Sequence, residues 1–135
     1  MREIAGDEGF DRSEFDAELA IAAHNERVGT TLLFENDRVR VWEVRLEPGE
    51  RAPFHAHRRP YFWTVADGGV ARQRTGDGTV RRWRYEPGDT RYFDHTPGRP
   101  MIHDLENVGP SVLRFVTVEL LDQDGTSEVL EPHVE

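Results

Sequence analysis

Imidazole and carboxylate side chains carry most of the chemistry open to this chain. Its 135 residues include six histidines, His24, His55, His57, His95, His103 and His133, with no cysteine and no lysine. Without cysteine there is no disulfide, no thiolate nucleophile and no cysteine-ligated zinc or iron–sulfur site. Without lysine there is no Schiff-base amine and no GxxxxGK[ST] phosphate loop. The most specific local feature is His55-Ala56-His57. In a strand, residues i and i+2 point to one face, so both imidazoles project together. A third histidine from another strand completes a facial three-nitrogen site. Such a site suits a divalent transition metal with positions left open for water or substrate. An isolated HxH is common on exposed strands, and this one gains weight from the histidines that follow it at a distance.

A site of that kind needs strands to hold it. Thr30–Phe34, Val39–Leu46, Tyr61–Ala66, Val70–Arg74, Thr79–Tyr85, Thr90–Phe93, Ile102–Leu105 and Val112–Leu121 are short branched or aromatic runs. Turn signals separate them, among them Glu47-Pro48-Gly49, Gly76-Asp77-Gly78 and Glu86-Pro87-Gly88. Many short strands at close spacing indicate an all-β sandwich or barrel. Val39–Leu46 alternates, but both phases carry apolar residues and the inner face stays open. Val112–Leu121 is apolar in both phases, as a strand buried on both sides would be. Before the strands, Phe15, Leu19 and Ala22 recur at helical spacing, predicting one helix of about three turns over Ser13–Asn25, with Ser13 as N-cap and Gly29 beyond its end. The expected organisation is an N-terminal arm with a short helix (1–29), a barrel (30–122) and an acidic tail (123–135). Within the barrel, Leu46-Glu47-Pro48-Gly49-Glu50 and Tyr85-Glu86-Pro87-Gly88-Asp89 are near copies, each followed by histidines. Two similar halves converging on one site are expected.

Gly49, five residues, His55-Ala56-His57, three residues, Tyr61, six residues and Gly68 reproduce the spacing of the first cupin motif, G(X)5HXH(X)3,4E(X)6G. Pro97-Gly98, His103 and Asn107 follow the second, which ends in PXG(X)2H(X)3N. The sequence thus resembles the cupin superfamily over roughly Thr30 to Leu121. The resemblance implies an all-β double-stranded β-helix, the cupin jelly-roll barrel, with the short N-terminal helix outside it. It places His55, His57 and His103 on metal-ligand positions, for Fe or alternatively Mn, Ni or Zn. Two departures stand out. Tyr61 occupies the position of the usual glutamate ligand; a neutral phenol ligates poorly, and Tyr61 is read as a pocket residue ahead of a ligand. The second motif carries two extra residues between Gly98 and His103, with Asp94 near the expected proline, so Asp94 and His95 stand as a substitute ligand, a general base or plain loop. Three-histidine ferrous centres occur in some cupin dioxygenases, including thiol-oxidising ones, but the cysteine–tyrosine crosslink of some of those enzymes cannot form here. The Glu35–Glu43 and His103–Asn107 runs also resemble a group of small bacterial cupins associated with β-alanine degradation. That association names a pathway and supplies no reaction.

Several other residues take part in the reading. Tyr61 and Trp63 share a strand face and form either a pocket wall or aromatic core. Arg58 and Arg59, beside His57, are placed to steer a carboxylate or to face solvent. Arg72, Arg74, Arg81, Arg82 and Arg84 cluster on the Gly76-Asp77-Gly78 hairpin and read as a solvated face balancing an acidic protein of net charge -9. Asn107 is expected to stabilise a turn. The acidic surplus argues against nucleic-acid affinity. No apolar run approaches a membrane span, and the acidic N-terminus lacks a signal-peptide core, so a soluble cytoplasmic protein is expected. The expected function is a metal-dependent enzyme acting on a small anionic metabolite, a dioxygenase ahead of a lyase or isomerase. The alternative is a non-catalytic small-molecule-binding cupin whose histidines line the pocket. A homodimer is expected, because jelly-roll edges invite pairing.

Overall fold

The computed structural model describes residues 1–94 and 100–121, with the backbone alone for residues 5–8. Ten strands form two antiparallel five-stranded sheets. The first sheet runs β1 (Arg2–Gly9), β7 (Thr79–Tyr85), β6 (Gly69–Arg74), β9 (Met101–Asn107) and β4 (Arg51–His57). The second runs β2 (Thr31–Glu35), β3 (Val39–Leu46), β10 (Leu113–Leu120), β5 (Tyr61–Asp67) and β8 (Thr90–Phe93). Their inner faces meet in a core of Val44, Leu46, Val65, Ala71, Tyr85, Leu113 and Phe115. On β3 the inner phase is Trp42, Val44 and Leu46. β10 departs from the expectation of burial on both faces: Leu113, Phe115, Thr117 and Glu119 are buried, and the residues between them only half so. The strand is central in its sheet, and the residues on its outer face are only half buried among the described residues. Buried Glu119 accepts a 2.7 Å hydrogen bond from Trp42 Nε1, and Arg40 lies beside it, as a buried carboxylate requires.

The two Glu-Pro-Gly turns are matching devices at the two ends of the repeat. Gly49 and Gly88 hold φ of 86° and 89°, the left-handed region that glycine enters without steric cost. Both turns close through the same bond, from Glu50 N to Glu47 O and from Asp89 N to Glu86 O. Each then exchanges two backbone bonds with a strand of the other half. Gly49 N donates to Asn107 O and Asn107 N to Glu50 O, while Gly88 N donates to Val65 O and Val65 N to Asp89 O. Fully buried Asn107 ties its corner together, its amide donating to Leu46 O and Ser111 O and its side-chain oxygen accepting from Gly109 N.

The N-terminal segment differs from expectation in two ways. It contributes a strand, β1, paired with β7, and its helix is shorter than Ser13–Asn25. A 3-10 turn at Arg12–Phe15 leads into α1 (Asp16–Ala22). Asp11, not Ser13, caps the start by accepting the Ser13 N–H and hydroxyl. This segment covers the free edge of β4, whose outward backbone groups would otherwise be unpaired. Glu18 accepts from Phe54 N at 2.6 Å, Asn25 Nδ2 donates to Phe54 O, and Ala56 N donates to Asn25 O. Glu18 also pairs with Arg51, which reaches fully buried Asp104 together with Arg74. Arg72 and Arg74 bond Glu106. These two arginines therefore do not belong to a solvated hairpin face: they neutralise acids on the neighbouring strand β9.

Candidate metal centre

His55 and His57 lie on β4, and His103 lies on β9 opposite His55 in the antiparallel register. A bulge between Ala52 and His55 spans Pro53, which has no N–H for the ladder, and sets the phase of the two residues that follow. Both histidines then face inward. His57 Nε2 stands 3.1 Å from His55 Nε2 and 2.9 Å from His103 Nε2. Ligand nitrogens about 2.1 Å from one ion and at right angles to one another lie about 3.0 Å apart. The two observed separations fit His57 at right angles to each of the other two around one ion, and all three ligand atoms lie within 4.8 Å of one another.

The protons lead to the same conclusion. His55 donates its Nδ1–H to Pro53 O at 2.7 Å, which leaves its Nε2 as a bare lone pair. Burial holds the His55 imidazole below the usual histidine range. Burial, with the neighbouring imidazoles adding to it, takes His57 and His103 well below that range. All three rings are therefore neutral. A single proton on His57 Nε2 can serve only one of its two close contacts, whereas a cation at the centre serves all three nitrogens. His103 Nδ1 meets the Gln73 side-chain amide. The atom facing Nδ1 is the amide nitrogen Nε2; with His103 Nε2 turned to an ion, Nδ1 would carry the proton, and the amide turned over would accept it through its oxygen, as the outer partner of a ligating histidine does. His57 Nδ1 is buried with no partner among the described residues. His55, His57 and His103 form a group able to hold a metal, and no carboxylate joins them among the described residues.

Tyr61 stacks on the His57 ring at 3.9 Å between centroids, and its hydroxyl lies 4.0 Å from Met101 Sδ. Burial drives the phenol pKa upward, so Tyr61 keeps its proton and serves as wall. Trp63 packs edge-on against Tyr85 and Phe115 and lines the same space. Arg59 points elsewhere and donates to Leu121 O, and neighbouring Arg58 bonds Ala23 O at the end of α1. His95 and His133 lie outside the described residues. Asp94 is exposed beside Tyr92, and His24 is exposed near the end of α1. Gln73 carried no signal in the sequence, since a single glutamine on a strand belongs to no motif.

The three histidines line a cavity of about 360 Å³ between the sheets. Tyr61, Trp63, Trp83, Tyr85, Phe93 and Phe115 give its wall an aromatic share, beside aliphatic and polar residues. A metal at the histidines would face this space, which has the size and apolar character of a small-molecule site.

Residues 42–119 match the cupin domain family, and that stretch contains all three histidines and both glycine turns. The chain belongs to the cupin family. Among solved structures, this cupin is similar to a cupin domain from Bordetella pertussis Tohama I, with 24% identity over 67% of this chain and 88% of that one and a TM-score of 0.59. It is also similar to a double-stranded β-helix protein from Klebsiella pneumoniae, with 24% identity, coverage of 79% and 90% and a TM-score of 0.55. An RmlC-like cupin from Methanocaldococcus jannaschii shares 17% identity at coverage of 70% and 84%, with a TM-score of 0.52. These likenesses establish the double-stranded β-helix. No curated protein matches the sequence. No helix among the described residues is long and apolar enough to cross a membrane.

Proposed function

We propose that this cupin is a metal-dependent enzyme that acts on a small anionic metabolite, with dioxygenation as its reaction. The observation that carries the reading is the convergence of three imidazole nitrogens, with no carboxylate joining them among the described residues, on a cavity of about 360 Å³. His55, His57 and His103 would hold the metal, Fe(II) first and Mn, Ni or Zn as alternatives. When bound, the ion would supply Lewis acidity and, as iron, one-electron chemistry toward oxygen. The chain's own residues do the rest. Pro53 O and Gln73 orient the outer ring nitrogens of His55 and His103, and Tyr61 covers the face of His57. Three uncharged ligands leave the full cationic charge to attract an anion. Oxygen uptake by the Fe(II)-loaded protein on a panel of small acids tests the reading, with consumption dependent on His103 as the expected result. A stoichiometric metal with no uptake on any acid would replace the dioxygenase by a lyase or isomerase.

Membership among the cupins associated with β-alanine degradation is proposed on the Glu35–Glu43 and His103–Asn107 runs alone. A homodimer is proposed on edge strand β2, where Leu32, Leu33 and Phe34 are 43%, 51% and 54% exposed. A second copy adding a strand at this edge would pair its outward backbone groups and cover part of these apolar side chains. A light-scattering mass of one chain would overturn the dimer.

A further inference from the structure

Three side chains with full charges line the cavity: Asp77, Arg81 and Arg91. Asp77 is engaged in its own hairpin, where it accepts the Thr79 N–H at 3.0 Å. Arg81 stands 4.0 Å from Glu3. Arg91 differs from both. Its Nη1 lies 3.5 Å from Met1 Sδ and its guanidinium sits 5.2 Å over the Phe93 ring, with no carboxylate partner among the described residues. Elsewhere in this acidic chain Arg40, Arg45, Arg51, Arg72, Arg74 and Arg114 all have acids beside them.

The strand register explains its direction. β8 pairs with β5 so that Arg91 opposes Trp63 and Phe93 opposes Tyr61. Directly opposed residues share a face, so these four side chains look into the cavity. The residues between them look outward, where Thr64 and Thr90 bond each other through their hydroxyls. Arg91 lines the cavity while itself exposed, so it stands where the cavity opens to solvent, and an arginine there with only a thioether and a ring beside it among the described residues can receive an anion. Its planar fork suits a carboxylate held by two N–H groups.

We propose that Arg91 is the specificity-determining residue of the cavity, binding the carboxylate of a small organic acid whose apolar body rests against Trp63 and Tyr85. The ligand class is a monocarboxylate with an apolar or aromatic portion, and the carboxylate end lies at β8. About a dozen water volumes of space limit the acid to roughly that number of heavy atoms. The inference rests on the cavity being the substrate site, as in the proposed function, and it assigns the group that selects the acid.

Calorimetric titration of the full chain with propionate, phenylacetate and 3-phenylpropionate, each against its amide, tests it. The expected result is at least tenfold tighter binding of the acid than of the amide for one or more pairs. In Arg91→Gln that ratio falls to about one with amide binding retained, and Arg91→Lys restores part of it. A wild-type ratio near one, a ratio unchanged in Arg91→Gln, or no binding by any of the six probes overturns the proposal. The same titration on His103→Ala separates the two readings. Acid preference that survives loss of the metal upholds Arg91 even if the enzyme reading fails. A protein that holds its metal but shows no preference retains the enzyme reading and sinks this one.

Discussion

Replacing Glu18 by alanine should loosen the strand that carries two of the three histidines. Glu18 is the helix residue that fastens α1 to the edge of β4, accepting from Phe54 N and from both terminal nitrogens of Arg51. Phe54 is 1% exposed and immediately precedes His55. In Glu18→Ala its N–H loses its acceptor beneath the helix, at a cost of about 1–2 kcal/mol. Arg51 keeps Asp104 at 3.1 Å, so the lost ion pair adds only about 1 kcal/mol. For a domain of this size a total of about 2–3 kcal/mol lowers Tm by roughly 8–12 °C. Glu18→Gln keeps an oxygen for Phe54 N–H and should lose roughly a third as much. Acidification supplies a second check. Burial pushes the Glu18 carboxyl up, but the hydrogen bonds from Arg51 and Phe54 and the charges of Arg51 and Arg74 outweigh it and hold the pKa below the usual glutamate range. A folded pKa below the unfolded one means stability that is present above the unfolded value and lost as pH falls through the folded one. The gap between wild type and Glu18→Ala measured by thermal melting should therefore be full at neutral pH and shrink below about pH 4. A Glu18→Ala protein melting within about 2 °C of wild type at neutral pH, or a gap that ignores acidification, refutes the reasoning.

Two further outcomes follow from the same structure. Gly49→Ala and Gly88→Ala place a side chain at φ of 86° and 89° with no atom within 4 Å of the new Cβ, so the cost is backbone strain alone, about 1–2 kcal/mol each, and thermal melting should show similar losses at both turns. Unchanged melting at either turn contradicts the equivalence of the two halves. Gln73→Leu should weaken metal affinity about 10- to 100-fold in chelator competition while the fold melts near wild type, because His103 loses the partner of its outer nitrogen. Wild-type affinity in that variant would show that the amide does not orient the ring.

Motif spacing made much of the barrel and the histidine trio legible. The glycine turns fix where strands reverse, and the HxH period puts two rings on one face, both local properties. Less local features were hidden. β1 reads as a polar stretch containing glycine, and its strand form comes from pairing with β7, a partner some 75 residues away in sequence. α1 begins after Phe15, which packs on Phe10 and Phe54 under Arg51, and it ends before Asn25, which bonds the backbone of β4 at Phe54 and Ala56. Helical spacing alone does not contain those contacts. Arg91 carried no signal in the sequence, since a single arginine on a short strand belongs to no motif. Only the register against β5 turns it inward. Arg58 and Arg59 follow His57 in sequence, yet their guanidinium groups bond Ala23 O and Leu121 O.

Metal content tests the central claim most directly. The untagged chain, purified without added metal and then titrated with Co(II), should take up one ion per chain with the spectrum of a nitrogen-ligated centre. His103→Ala should lose that uptake while remaining folded. Sub-stoichiometric uptake by the wild-type chain, unchanged by His103→Ala, would contradict the account and leave the three histidines as the polar lining of a binding pocket.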